Sequence, residues 1–150
     1  MILRQFLHRD PVAISYLFGC GGKATGAVVD PVGDIAPYLR GSQDTGMRIH
    51  YVIDTHIHAD HLSSGRRLAE ATGAEYVLFA DAKAAPTFKG VRDGDALELG
   101  NVLVQIMHTP GHTPEHLVFV VTDLPASDRP LGVFSGDFIF VGEVGRMRKT

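Results

Sequence analysis

The segment Thr55-His56-Ile57-His58-Ala59-Asp60-His61 constrains this chain more than any other. It follows the apolar run Ile49–Ile53 and precedes Leu62–Thr72, where Leu62, Arg66, Ala69 and Thr72 have helical spacing and Gly73 supplies a stop. Four groups able to bind a metal fall within six residues, a density that core packing does not call for. Imidazole and carboxylate suit zinc, iron or manganese. His56 and His58 are two apart, so extended backbone sends both to the same side. Asp60 and His61 enter the following turn and can supply a second, adjacent position.

Two later segments carry the same chemistry. His108-Thr109-Pro110-Gly111-His112-Thr113-Pro114 follows the strand-like Val102–Met107, and its two prolines and glycine make a rigid turn. Rigidity holds a ligand in place before the metal arrives, and small neighbours leave room around His112. His108 and His116 rank below it and read as hydrogen-bonded histidines. Ser135-Gly136-Asp137 follows the apolar Leu131–Phe134. An aspartate there is a cap or a ligand, and the other two segments favour the ligand.

Between these segments the chain reads mostly as short strands. Ile2–Leu7, Ala13–Phe18 and Ala27–Val29 suggest a meander, with the Gly-rich turn Gly19-Cys20-Gly21-Gly22 between the last two. Asp34–Leu39 reads as a short helix ended near Gly41, and Ser42–Gly46 as loop. Tyr76–Phe79 is strand-like, and Ala96–Leu99 with Val102–Met107 forms a hairpin over Gly100-Asn101. His116–Thr122 and Leu131–Phe134 are strands joined by the loop Asp123–Pro130. The candidate ligands thus sit at strand ends, where loops far apart in sequence can meet.

Composition sets the outer limits. At 150 residues and 45% apolar content the chain is read as one globular domain, residues 1–150. A net charge of −3 gives no reason to expect nucleic acid or an anionic membrane as partner. Apolar runs such as Leu117–Val121 fall far short of the roughly 20 residues of a bilayer span. The N-terminus lacks a long apolar region and a small-residue cleavage site, so a cytoplasmic location is expected. The single cysteine, Cys20, cannot form an internal disulfide, and beside glycines it reads as a partly buried structural residue rather than a sulfur carrier.

Taken in order, His56-x-His58-x-Asp60-His61, Gly111-His112-Thr113 and Gly136-Asp137 resemble the signature of the metallo-β-lactamase superfamily. Val29-Asp30-Pro31 resembles its early strand and turn, where the aspartate is structural. The implied fold is α/β (α+β), an αββα sandwich. His108–Glu115 and Phe134–Arg146 are more finely similar to the branch of persulfide dioxygenases and glyoxalase II thioesterases, most of all to bacterial persulfide dioxygenases, some fused to rhodanese domains. That resemblance implies one Fe(II) held by His56, His112 and Asp137, a two-histidine, one-carboxylate triad with open positions. His58, Asp60 and His61 would then orient the first three or mark a second site. Substrates would be a low-molecular-weight thiol persulfide, such as glutathione persulfide, and dioxygen. Arg146 is a candidate for substrate positioning, balanced against a plain surface arginine.

The family pattern places an aspartate two residues after Gly145-Arg146, where this sequence has Arg148. The expectation is a sandwich cut short after its first half, with Met147–Thr150 as an artificial or frameshifted tail and an exposed apolar face that favours association, such as a homo-oligomer. The competing enzyme reading resembles glyoxalase II, with a Zn(II) pair bridged by Asp137. His56, His58 and His112 would hold one zinc, and Asp60 and His61 the other. A third reading is a metal-binding fragment without turnover.

Overall fold

The computed structural model describes residues 1–84 and 87–145. A six-stranded sheet runs in the order β1 (Ile2–Arg9), β2 (Val12–Cys20), β3 (Thr25–Val29), β4 (Arg48–Ile53), β5 (Glu75–Phe79), β6 (Lys89–Val91). The first three strands are the antiparallel meander that the sequence implies; from β3 to β6 the pairing is parallel. The four-stranded sheet has the order β10 (Gly132–Phe134), β9 (Leu117–Asp123), β8 (Val102–His108), β7 (Ala96–Leu99), all antiparallel. A two-stranded ribbon, β11 (Ile139–Phe140) with β12 (Glu143–Val144), follows.

Alternation within strands builds the layers. Phe18, Ala27, Val29, Ile53 and Val77 of the first sheet meet Leu99, Val104, Ile106, Leu117 and Phe119 of the second in one buried core. Their sequence neighbours Leu17, Val28 and Val52 point the other way. They pack with Tyr38 of α1 (Ala36–Thr45) and Leu68 and Ala69 of α2 (Gly65–Thr72). The described residues therefore form helix, sheet and sheet in three layers.

The helices depart from expectation in their bounds. The α1 helix runs through Gly41 to Thr45 and ends at Gly46, whose φ of 67° suits glycine. Gly41 is a packing residue: a Cβ there would lie 3.1 Å from Phe6 and 3.2 Å from Leu17. The α2 helix starts at Gly65 rather than Leu62: Ser63 is held in an antiparallel bridge with Val32, and its hydroxyl accepts the Gly65 N–H at 2.9 Å. The short strands β6, β11 and β12 carry no periodic signal in the sequence. Cys20 is buried in the core, deeper than the partial burial its glycine neighbours suggest. No helix among the described residues is long and apolar enough to cross a membrane.

Candidate metal centre

The parallel strands β3 and β4 end side by side, at Asp30 and Asp54. The β8–β9 turn reaches the same edge, where Leu117 N–H donates to Thr55 O at 2.8 Å. The chain after β10 arrives there too. A Cβ on Gly136 would lie 2.6 Å from Thr55 Oγ1 and 2.9 Å from His116 Nε2. Gly136 also has a φ of 50°. Close approach and left-handed backbone together require glycine directly before Asp137. Gly145 closes the ribbon against the same residue, because a Cβ there would lie 1.8 Å from Asp137 O.

Three predicted residues converge at this edge. Single donor atoms of His56, His112 and Asp137 all lie within 4.8 Å of one another. Asp137 Oδ2 is 3.4 Å from His112 Nε2 and 3.9 Å from His56 Nε2. A second group with the same mutual spacing consists of His58, Asp60 and His61. Arg146 lies outside the described residues.

Counting protons fixes the state of His56. Thr55 Oγ1 donates its one proton to Asp30 Oδ2 at 2.9 Å. It can therefore only accept from His56 Nδ1, also 2.9 Å away. Nδ1 carries the hydrogen and Nε2 presents a lone pair toward Asp137. Burial, reinforced by the charge of His58, pushes His56 down to about 3. His56 and Asp137 are thus not an ion pair at neutral pH. They are a neutral imidazole and a carboxylate facing a common point, which is the donor set that a divalent cation takes.

His58 behaves differently. Its Nε2 lies 3.2 Å from Asp30 Oδ1, which also accepts the Thr55 N–H at 2.7 Å. Burial opposes the charge on His58, but the hydrogen bond and charge of Asp30 outweigh it and raise the imidazole to about 9. Burial likewise opposes ionisation of Asp30, and its bonds to His58 and Thr55 hold it below the usual carboxylate range. Asp54, one strand over, accepts from Ser63 at 2.9 Å and Tyr76 at 2.6 Å. Burial, with Asp30 nearby, drives it up to about 6.

No motif in the sequence signals a role for Thr55, Asp54 or Glu115. Thr55 stands one residue before the first ligand candidate, and a hydroxyl flanking a histidine is its only signal. From sequence, His116 reads as an ordinary hydrogen-bonded residue. It is fully buried, bonds Thr109 Oγ1 through Nδ1 at 3.0 Å, and stacks on His56 with ring centres 5.1 Å apart. His108 fits that reading, with Nε2 2.8 Å from Pro114 O and its ring stacked on Phe79.

The metallo-β-lactamase superfamily profile matches residues 11–150, and the chain belongs to that superfamily. A solved metallo-β-lactamase from Staphylococcus aureus subsp. aureus COL is 35% identical with a TM-score of 0.92, covering 99% of this chain and 45% of that one. Hydroxyacylglutathione hydrolase of Rhodospirillum rubrum is 32% identical over 135 residues, 88% of this chain and 50% of that protein. Mitochondrial persulfide dioxygenase ETHE1 of Homo sapiens is 28% identical over 149 residues, 97% of this chain and 56% of that protein. The chain spans about half to three-fifths of the length of these curated relatives. Both enzymes of the expected branch therefore stand among its relatives, and members of the superfamily are metal-dependent enzymes.

Proposed function

We propose that the protein is a mononuclear iron persulfide dioxygenase, acting on a low-molecular-weight thiol persulfide of the glutathione type. The observation that carries this reading is the division of labour between the histidines. His56, His112 and Asp137 face one point, while His58 is bonded to Asp30. Two histidines and one carboxylate leave several coordination positions free, which suits Fe(II) with dioxygen and a sulfur ligand.

Iron bound there would supply open positions for both reactants and a redox centre through which electrons of the sulfur could reach dioxygen. The chain's own residues set the geometry. Asp30 and Thr55 fix the His56 tautomer, His116 packs on its ring, and the Pro110-Gly111 turn presents His112. The overall change is RSSH + O2 + H2O → RSH + HSO3⁻ + H⁺. The outer sulfur loses four electrons and dioxygen gains them. A rhodanese domain or protein is a chemically consistent partner, because it transfers sulfane sulfur of the kind consumed here.

A second reading is thioester hydrolysis by two zinc ions. The observation favouring it is the group of His58, Asp60 and His61, whose inner nitrogen, His61 Nε2, has no partner among the described residues. Anaerobic loading with Fe(II), desalting and metal counting separate the two. About one iron per chain, lost in His112→Ala, followed by persulfide-dependent oxygen uptake and sulfite release, is the expected result. Two metals per chain with thioester cleavage and no oxygen uptake would replace the dioxygenase with the hydrolase.

A further inference from the structure

The two loops that present His56 and His112 are tied together by a side chain. Ile57 N–H donates to Glu115 Oε1 at 2.9 Å. Ile57 lies between His56 and His58, and Glu115 lies three residues after His112. A second tie, Leu117 N–H to Thr55 O, sits on the other side of His56. The two bonds bracket His56 in the chain and lead to residues 115 and 117. Between those residues His116 stacks on the His56 ring. The Glu115 side of the loop is anchored in turn, because Pro114 O is held by His108 Nε2.

We propose that Glu115 is a positioning residue that locks the His56 loop to the His112 loop through the Ile57 amide, so that the two imidazoles keep their separation before a metal binds. The inference rests on the metal-centre reading above and extends it to a residue outside the groups of candidate ligands. A ligand set held in advance loses less freedom on binding, so its removal shows chiefly in how fast the metal leaves. Supports of this kind typically change metal affinity by roughly 10- to 100-fold.

Ile57 is 40% exposed, and its amide donates to Glu115 Oε1, so exchange at that amide reports on the bond. The test compares Glu115→Gln, which keeps an acceptor oxygen at the same reach, with Glu115→Ala and with Glu115→Asp, which keeps the charge but is one carbon shorter. Hydrogen exchange at Ile57 is read on the metal-free chain. Release of Co(II) to a chelator and the Co(II) visible bands are read on the loaded chain. Glu115→Ala and Glu115→Asp are expected to exchange Ile57 at least about ten times faster, to release Co(II) about ten times faster and to shift the bands. Glu115→Gln is expected to stay within about twofold of the parent. Should Glu115→Ala fail to fold, Glu115→Asp carries the same expectation. Unchanged Ile57 exchange or Co(II) release in Glu115→Asp, or equal impairment in Glu115→Gln, would overturn the proposal. These readouts need no turnover, so a chain that binds Co(II) as expected but oxidises no persulfide counts against the dioxygenase alone.

Discussion

His58 and Asp30 form a partly buried pair, with Nε2 of the imidazole 3.2 Å from Oδ1 of the carboxylate. The pair makes the stability of the metal-free chain depend on pH. His58 is raised in the fold to about 9 from an ordinary 6.5. Its contribution is therefore complete below about pH 6.5 and is lost as pH rises through about 9. Asp30 is lowered, so its contribution is present above its ordinary value and disappears only in stronger acid. Urea unfolding of the metal-free chain should show stability falling between pH 6.5 and 9. His58→Gln, which cannot carry the charge, should flatten that slope. A parent chain equally stable at both ends of the window would refute the pairing.

Asp54 has the opposite relation to its surroundings. Its folded value is raised to about 6, so ionisation at neutral pH works against the fold. The contribution of the protonated form is full below its ordinary 3.8 and fades as pH rises through about 6. Asp54→Asn removes the charge while keeping an acceptor for Ser63. It should stabilise the metal-free chain at pH 7 by up to about 3 kcal/mol and have much less effect at pH 4.5. Unfolding midpoints at the two pH values check this. Equal destabilisation at both would mean that the Tyr76 and Ser63 bonds outweigh the charge.

Gly136→Ala should disable the centre without touching a ligand. The new methyl would lie 2.6 Å from Thr55 Oγ1 and 2.9 Å from His116 Nε2, in a backbone with φ of 50°. The left-handed conformation alone costs about 1–2 kcal/mol. Relief of the clash must move Thr55 or His116, which hold His56, or Gly136, which aims Asp137. Metal affinity should drop by at least about tenfold. Competition against a chelator measures it, and parent-like affinity would show that this junction has slack the geometry denies.

Much of this arrangement is legible in the sequence. The ligand candidates His56, His112 and Asp137 are marked by type and by following apolar strands, and the period of two in Ile2–Leu7 announces β1. What the sequence hides is relational. Gly41 reads as a helix stop but is spaced to admit Phe6 and Leu17. His58 looks equivalent to His56, and only the position of Asp30 separates them. The short strands β11 and β12 carry too few residues for a period to show. Glu115 gives no local signal, since its partner is 58 residues away.

Tyr38 allows the fold to be weakened independently of the metal. Its hydroxyl is fully buried and accepts the Val32 N–H at 2.8 Å. Ser15 Oγ at 3.0 Å, Val32 O at 3.1 Å and His8 Nε2 at 3.1 Å also surround it. Ser15 in turn donates to the Asp30 carbonyl at 2.6 Å. Tyr38→Phe preserves the ring that packs edge-on against Phe6 but strands the buried Val32 amide. A stranded buried donor costs about 1–3 kcal/mol. The variant should therefore unfold at lower urea while binding the same number of metal ions per chain, because Thr55 and His58 keep their own bonds to the Asp30 carboxylate. Loss of metal at temperatures where the variant is still folded would show that the Tyr38 network reaches through Asp30 to the site.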